Sequence, residues 1–425
     1  MAAQTIDAME EARRRTLALV APISDRDLVE VHSPLMSPLV WDLGHIAAFE
    51  DLWLVHRAGG EAMLREDLGA IYDAFETPRA QRGELAFLTP REARAYLEEV
   101  RTVTLSLAHE RGVGDGTIHE LVLRHEQQHC ETMLQTIQLA RLEGYTLGAA
   151  SPSPRAPDGN GRSAPTGLEF LEIPAGTCTI GAPEGGFAYD NERPRHRVEL
   201  DRYLVARHQV TNGDYRDFIS GGGYHRREWW CEEGWAWRTI NGVERPGGWD
   251  ETLSAEWRLG ALEPLEPARP VIHVSWFEAD AFARAHGARL PTEAEWEKAA
   301  SWDQAAAEAM PYPWGDRTPV PGRDGNFDQR EPGTARAGTH PDGDSPYGVA
   351  DAAGQVWEWT ASTFSGYPGF TAHPYPEYSE VFFGPRFRVL RGGSWATRAR
   401  VLSASFRNWD FPERRQIFAG IRLAK

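Results

Sequence analysis

Four stretches within the first 148 residues read as helices with one apolar face, the pattern that buries a helix against its neighbours. Met9 to Ala21 carries Leu17, Leu19 and Val20. Pro38 to Val55 opens on a proline, which suits a first helical turn, and carries Leu43, Ile46, Phe49, Trp53 and Leu54. Thr89 to His109 begins TPREA: a capping threonine, a proline, then an acid. Leu121 to Gln135, LVLRHEQQHCETMLQ, has Leu121, Val122, Met133 and Leu134, with Ile137 and Leu139 beyond, and no Gly or Pro interrupts it. Between the second and third stretches, Pro78 to Leu88 reads as a loop carrying Arg79 and Arg82. Four long helices predict a bundle, and bundle cores are where facing helices build metal sites.

The pattern changes after residue 148. Residues 149–167, AASPSPRAPDGNGRSAPTG, are rich in Ser, Pro, Gly and Ala and read as a linker. From 168 to 425 the predicted strands are short, the loops are long, and Gly, Pro and Trp are dense. Phe170 to Gly181 reads as a short hairpin. Pro291 to Ala300 reads as a helix capped by Thr292 with Glu295 three residues on, a capping box. Trp276 to His286 reads as another helix. The expectation is an all-α bundle followed by an α+β domain, with no tandem repeat.

Composition narrows the function classes. A net charge of −17 argues against a nucleic-acid partner, which calls for basic patches. The three cysteines, Cys130, Cys178 and Cys231, are too scattered for a disulfide framework or a zinc knuckle, and fit a reducing compartment. The opening MAAQTIDAMEEARRRTL is charged and amphipathic and lacks the apolar core of a signal peptide. No apolar run reaches the length of a membrane span. A cytoplasmic protein without a membrane partner is expected.

His125 and His129 lie four apart on the fourth helix, so both imidazoles leave one face and can grip one transition-metal ion. A solvated face that carries two histidines is the plainer reading. The same residues, His125-Glu126-Gln127-Gln128-His129, spell HExxH, the helix of zinc metalloproteases. That reading lacks a convincing third ligand: Glu131 is too near, Glu143 is a poor candidate, and the longer extension of one protease group is absent. His45 alone reads as a core histidine. Across a bundle from the other two it could complete a three-histidine site whose open positions suit iron(II).

Motifs along nearly the whole chain resemble the sulfoxide synthases of ergothioneine biosynthesis, also called hercynine oxygenases. In the first half these are SPLVWDLGHI, YDAFETPRAQR and HEQQHCETMLQ. In the second they are DNERPRHRV, VTNGDYRDFI, ARLPTEAEWEKA, YPWGD, GQVWEW, YSEVFF, RVLRGGSWA and SFRNWDFPERRQIFAGIRLA. The resemblance implies a multidomain fold: a DinB-like four-helix bundle, then an α+β formylglycine-generating-enzyme-like domain related to C-type lectins. It implies an iron(II)-dependent enzyme with O2 as co-substrate that joins the sulfur of γ-glutamylcysteine to C2 of the hercynine imidazole. Cysteine, histidine or a selenium donor, as in ovothiol- and selenoneine-type synthases, is the alternative within that family. A binding module beside a degenerate bundle is the alternative outside it.

By position the resemblance assigns His45, His125 and His129 as iron ligands and Tyr375 as the catalytic proton donor, with Tyr378 as its nearest substitute. Asn408, Trp409 and Asp410 match a substrate-binding triplet, and a Trp face suits the trimethylammonium of hercynine. Arg79 and Arg82 match a carboxylate-binding pair with Asp410 as acidic counterpart, and Gln128 matches a residue near the substrate imidazole. Without the resemblance, Trp409 would read as core and the two arginines as solvated. The cysteine pair with which related formylglycine-generating enzymes hold copper is missing from the second half, so the fold there is expected to serve substrate binding.

Overall fold

The computed structural model describes residues 2–147, 167–374 and 378–425. The predicted linker, except for Gly167, and Tyr375 lie outside the described residues. The chain divides into two compact units: Met1–Ala150 with Leu259–Ala261, and Ser151–Arg258 with Leu262–Lys425.

The first unit is helical. Its four long helices are α1 (Ala2–Val20), α3 (Leu39–Glu50), α4 (Pro90–Arg111) and α5 (Thr117–Ala140), with a short α2 (Asp25–Val29) after α1. α1 packs on α5 and α4, and α3 packs on α4 and α5, which makes the four-helix bundle that the apolar spacing predicts. Thr89 caps α4 as expected: its side chain accepts from Glu92 N and the Glu92 carboxylate accepts from Thr89 N. The second predicted helix is really two. α3 ends at Glu50, and the chain continues as a π-helix over Asp51–Ala58, a form that recurs at functional sites. Asp51, at that junction, accepts from Leu64 N, Arg65 N and Tyr96 Oη. The predicted loop from Pro78 to Leu88 contains a 3-10 helix, Arg79–Glu84.

The bundle core holds a closed set of charges, one from each long helix: Arg13 (α1), Glu50 (α3), Arg101 (α4) and Glu126 (α5). Arg13 donates to Glu126 Oε1 and Glu50 Oε2 at 2.8 Å each. Arg101 donates to Glu50 Oε1 at 2.8 Å and Glu126 Oε2 at 2.7 Å. All four side chains are at most 7 % exposed. Two positive and two negative groups cancel, which lets them stay buried.

In the second unit the predicted hairpin is not formed. β1 (Phe170–Ile173) pairs with β4 (Tyr203–Ala206), and β2 (Gly176–Ile180) pairs with β3 (His196–Leu200), both antiparallel. The residues between β1 and β2 are Pro174 and Ala175. Two-residue hairpin turns need positive φ at a central position, which proline cannot supply, so each strand finds a partner farther along the chain. Helices α6 (Asn212–Ser220) and α7 (Glu232–Asn241) and strands β5 (Ala255–Arg258) and β6 (Ala261–Pro264) follow. α8 (Trp276–Ala285) and α9 (Glu293–Ser301) both start at capping boxes, Ser275 with Glu278 and Thr292 with Glu295, as the sequence predicts for α9. β7 (Trp302–Asp303) pairs with β8 (Glu308–Ala309).

The largest sheet of this unit is built from β9 (Trp357–Phe364), β10 (Gly384–Arg391), β11 (Asn408–Asp410) and β12 (Ala419–Gly420), in the order β11-β10-β9-β12. β12 lies parallel to β9 and the other pairs are antiparallel. Its core is fixed by charge as well as packing. Glu358 accepts from Arg422, Gln209 and the Trp296 indole. The unit is therefore α+β, with short strands held by buried polar networks.

Candidate metal centre and substrate residues

His125 and His129 leave the same face of α5, and His45 reaches them from α3. One ring nitrogen from each of the three lies within 4.8 Å of the others. His45 Nε2 is 3.1 Å from His125 Nε2. The outward nitrogens of two rings are occupied. His45 Nδ1 donates to the Tyr72 carbonyl at 2.6 Å, and His129 Nδ1 donates to Asp42 Oδ1 at 3.1 Å. Those bonds set the tautomer in which Nε2 carries an inward lone pair. Burial, and then the neighbouring ring of His129, hold His45 and His125 well below the usual imidazole range. Both are neutral donors at physiological pH, as metal ligation requires. The 3.1 Å between the Nε2 atoms of His45 and His125 is the separation of two ligand atoms on one cation. The three side chains fit a transition-metal ion with open positions beside it.

Aromatic rings back two of the three histidines. Trp41 stacks on His45 with centroids 4.9 Å apart, and Phe49 stacks on His125 at 3.7 Å. Trp41 Nε1 donates to Ile71 O, so Ile71 and Tyr72 give consecutive carbonyls to α3. Gly44 makes this approach possible: a Cβ there would stand 2.2 Å from the Tyr72 ring.

Glu126 settles how HExxH is used here. In a metalloprotease this glutamate acts as general base beside the metal. Here it turns to the opposite side of α5, is 1 % exposed, and accepts from Arg13, Arg101 and Thr16. Burial alone would raise its pKa; the arginines outweigh that and bring it down to about 2. A carboxylate so engaged is not available as a base, which removes the protease reading.

The remaining predicted residues fall in both units. Gln128 is half-buried on α5 between the histidines. Arg79 is exposed at the start of the 3-10 helix. Arg82 is not the solvated residue a loop would give. It is buried, it lies 3.7 Å over the Trp41 ring, and it donates to Thr77 O, Ser37 Oγ and Ala74 O. Burial pushes its guanidinium down to about 10, which leaves it charged at neutral pH.

Asn408, Trp409 and Asp410 form the edge strand β11, in register with Leu390, Val389 and Arg388. Trp409 stacks on Phe364 at 4.1 Å, with Phe382 at 5.5 Å and Tyr378 edge-on at 6.3 Å. Asp410 accepts from Phe411 N and Gln416 Nε2, with Arg414 at 3.8 Å. Tyr378 in turn stacks flat on Tyr189 at 4.6 Å.

Residues 8–133 match the family model of the DinB superfamily, and residues 157–425 match that of the sulfatase-modifying factor enzyme 1-like domain. The chain is 43% identical over 419 residues to the hercynine oxygenase of Mycobacterium tuberculosis, covering 98% of this chain and 97% of that one. The chain belongs to the hercynine oxygenase family. A second member, from Mycolicibacterium thermoresistibile, is 42% identical over 433 residues, 100% of this chain and 94% of its own. The formylglycine-generating enzyme of Thermomonospora curvata is 30% identical over 292 residues, 60% of this chain and 92% of its own. The family's two-part organisation thus matches a helical bundle carrying three histidines and an α+β unit carrying Asn408, Trp409 and Asp410.

Sequence reasoning missed Asp42, Trp41 and the Tyr72 carbonyl, which stand behind His129 and His45. One signal was present: Asp42 precedes His45 by three residues, on the same side of its helix.

Proposed function

We propose that this protein is an iron(II)- and O2-dependent sulfoxide synthase acting on hercynine and γ-glutamylcysteine. The observation that carries the reading is the cluster of His45, His125 and His129, two of them turned inward by hydrogen bonds from their outward nitrogens, in a chain of this family. The reaction balances as hercynine plus thiol plus O2 giving the imidazolyl sulfoxide plus water, with C2–H and S–H replaced by C2–S. One O2 accepts four electrons, two from forming the C–S bond and two from oxidising sulfur. His45, His125 and His129 would hold the iron, which would supply that redox chemistry.

The chain's own residues bind, orient and deliver protons. Trp409, with Phe364, Phe382 and Tyr378 around it, offers aromatic faces of the kind that attract a quaternary ammonium. Asn408 and Gln128 are assigned to hercynine. Arg79 and Arg82 are assigned to the carboxylates of the thiol substrate and Asp410 to its ammonium, a match in number and sign with γ-glutamylcysteine. Much of Arg82's donor capacity is already committed to the protein, so Arg79 has more to give. Tyr375 is assigned as proton donor.

The test is a mass spectrum of the product formed from hercynine, γ-glutamylcysteine, iron(II) and air. The expected product has the mass of the two substrates joined with loss of two hydrogens and gain of one oxygen. Turnover with cysteine or a selenium donor at equal efficiency would move the protein to the other branch of the reading.

A further inference from the structure

Asp42 is 1 % exposed, and its carboxylate is under-satisfied. Oδ1 accepts from His129 Nδ1 at 3.1 Å, and Oδ2 has no hydrogen-bond partner among the described residues. A buried carboxylate with one hydrogen bond is costly unless positive charge stands near it. Arg82 is one such charge: its guanidinium is electrostatically coupled to Asp42. The three histidines are a second place for it, because neutral imidazoles bring no charge of their own to offset a divalent cation.

The three ligands are also unequal. His45 donates to a neutral carbonyl, His129 donates to a carboxylate, and His125 lies against the face of Phe49. A carboxylate on the outer nitrogen makes an imidazole a stronger donor and fixes its ring plane.

We propose that Asp42 is a positioning residue for the metal centre. It holds the His129 ring with Nε2 inward, makes His129 the most electron-rich of the three ligands, and supplies the negative charge that the neutral triad lacks. This rests on the metal reading of the triad and concerns metal binding alone, so it is tested without substrate.

The experiment uses the full chain with cobalt(II) as probe, followed by visible absorption and by proton NMR of the exchangeable imidazole N–H signals. Asp42→Asn keeps an acceptor for His129 Nδ1 but removes the charge; Asp42→Ala removes both. Outer partners of metal-bound histidines are worth about ten- to a hundredfold in metal affinity. Asp42→Ala is expected to weaken cobalt binding by about that factor, and Asp42→Asn by less. One shifted N–H resonance, that of His129, should broaden or vanish in Asp42→Ala while that of His45 stays. Circular dichroism confirms folding; if Asp42→Ala does not fold, Asp42→Asn carries the affinity test. A folded variant that binds cobalt within twofold of wild type and keeps both N–H signals overturns the proposal, while the function reading stands. Absence of cobalt binding in the wild type would overturn both, whereas failure to form the sulfoxide with normal cobalt binding would touch the function reading alone.

Discussion

Removing Arg101 should cost the bundle far more than removing a surface arginine. Its guanidinium bridges Glu50 and Glu126 through Nε and Nη2 and donates to Met9 O through Nη1. Arg101→Met fills similar space without charge. It leaves two buried carboxylates facing one arginine, Arg13. Breaking a buried ion pair from one side costs ~3–5 kcal/mol, because the partner left behind keeps its desolvation penalty. An exposed pair such as Arg94–Asp25, at 3.3 Å, is worth ~1 kcal/mol or less, so Arg94→Met is the control. Urea unfolding of the full chain, followed by far-UV circular dichroism to weight the helical unit, measures both. The double variant Arg101→Met/Glu126→Leu should cost less than the sum of its single changes, because it removes the stranded charge along with its partner. The pH dependence follows from the same network. The Glu126 carboxyl is depressed from 4.5 to about 2 in the fold. Its contribution, about 3 kcal/mol by linkage, is fully present above pH 4.5 and is lost as pH falls towards 2. Glu50 is shifted in the same direction: burial opposes the shift, and Arg101 and then Arg13 overcome it. If Arg101→Met costs no more than Arg94→Met, or if the costs in the double variant simply add, the four charges do not act as a closed set.

Four further outcomes are expected. His129→Ala should lose most bound iron and nearly all turnover, read by metal analysis of the purified protein alongside product formation; retained iron with full activity would remove the site. Gly44→Ala should push Tyr72 off α3, loosen the carbonyl that holds His45, and weaken metal binding at modest cost in stability, visible as a higher Kd for cobalt(II). Tyr375→Phe should keep substrate KM values, lower sulfoxide formation and raise the share of thiol oxidised to sulfinate; the same change appearing only in Tyr378→Phe would move the proton donor to that residue. Asp410→Asn should raise KM for γ-glutamylcysteine far more than for hercynine, and wild type should prefer the dipeptide to free cysteine, since an unpaired charged partner costs ~2–5 kcal/mol.

The legible parts of this chain were those governed by local rules. TPREA and PTEAEW each spell a cap and its reciprocal acid, and both helices start there. The i, i+4 histidines face one way because α-helical geometry leaves them no choice. What needed the fold was pairing at a distance. Residues Phe170 to Ile180 contain two strands, as their composition suggests, but each pairs with a segment after residue 195, and nothing within the eleven residues names that partner. Arg82 looked solvated because an arginine in a short polar stretch usually is. It is buried because Trp41 offers it a ring face and two backbone carbonyls accept its protons. Arg13, Glu50, Arg101 and Glu126 sit about a hundred residues apart at the extremes, and only the bundle brings their charges together.

The five residues HEQQH show how one motif carries two different sites. Successive helical residues are about 100° apart, so Glu126 leaves α5 in a different direction from His125, and its neighbours decide where its carboxylate ends. Here α1 and α4 present Arg13 and Arg101 to it, and α3 presents Asp42 and His45 to the other face. The ion pairs on one side and the histidines on the other hold α5 in a single rotational setting. A rotation that brought Glu126 round to His45 would break its bonds to both arginines and withdraw His125 from His45. The motif is thus read by the helices that surround it, and the charges buried behind α5 help decide that its histidines face His45.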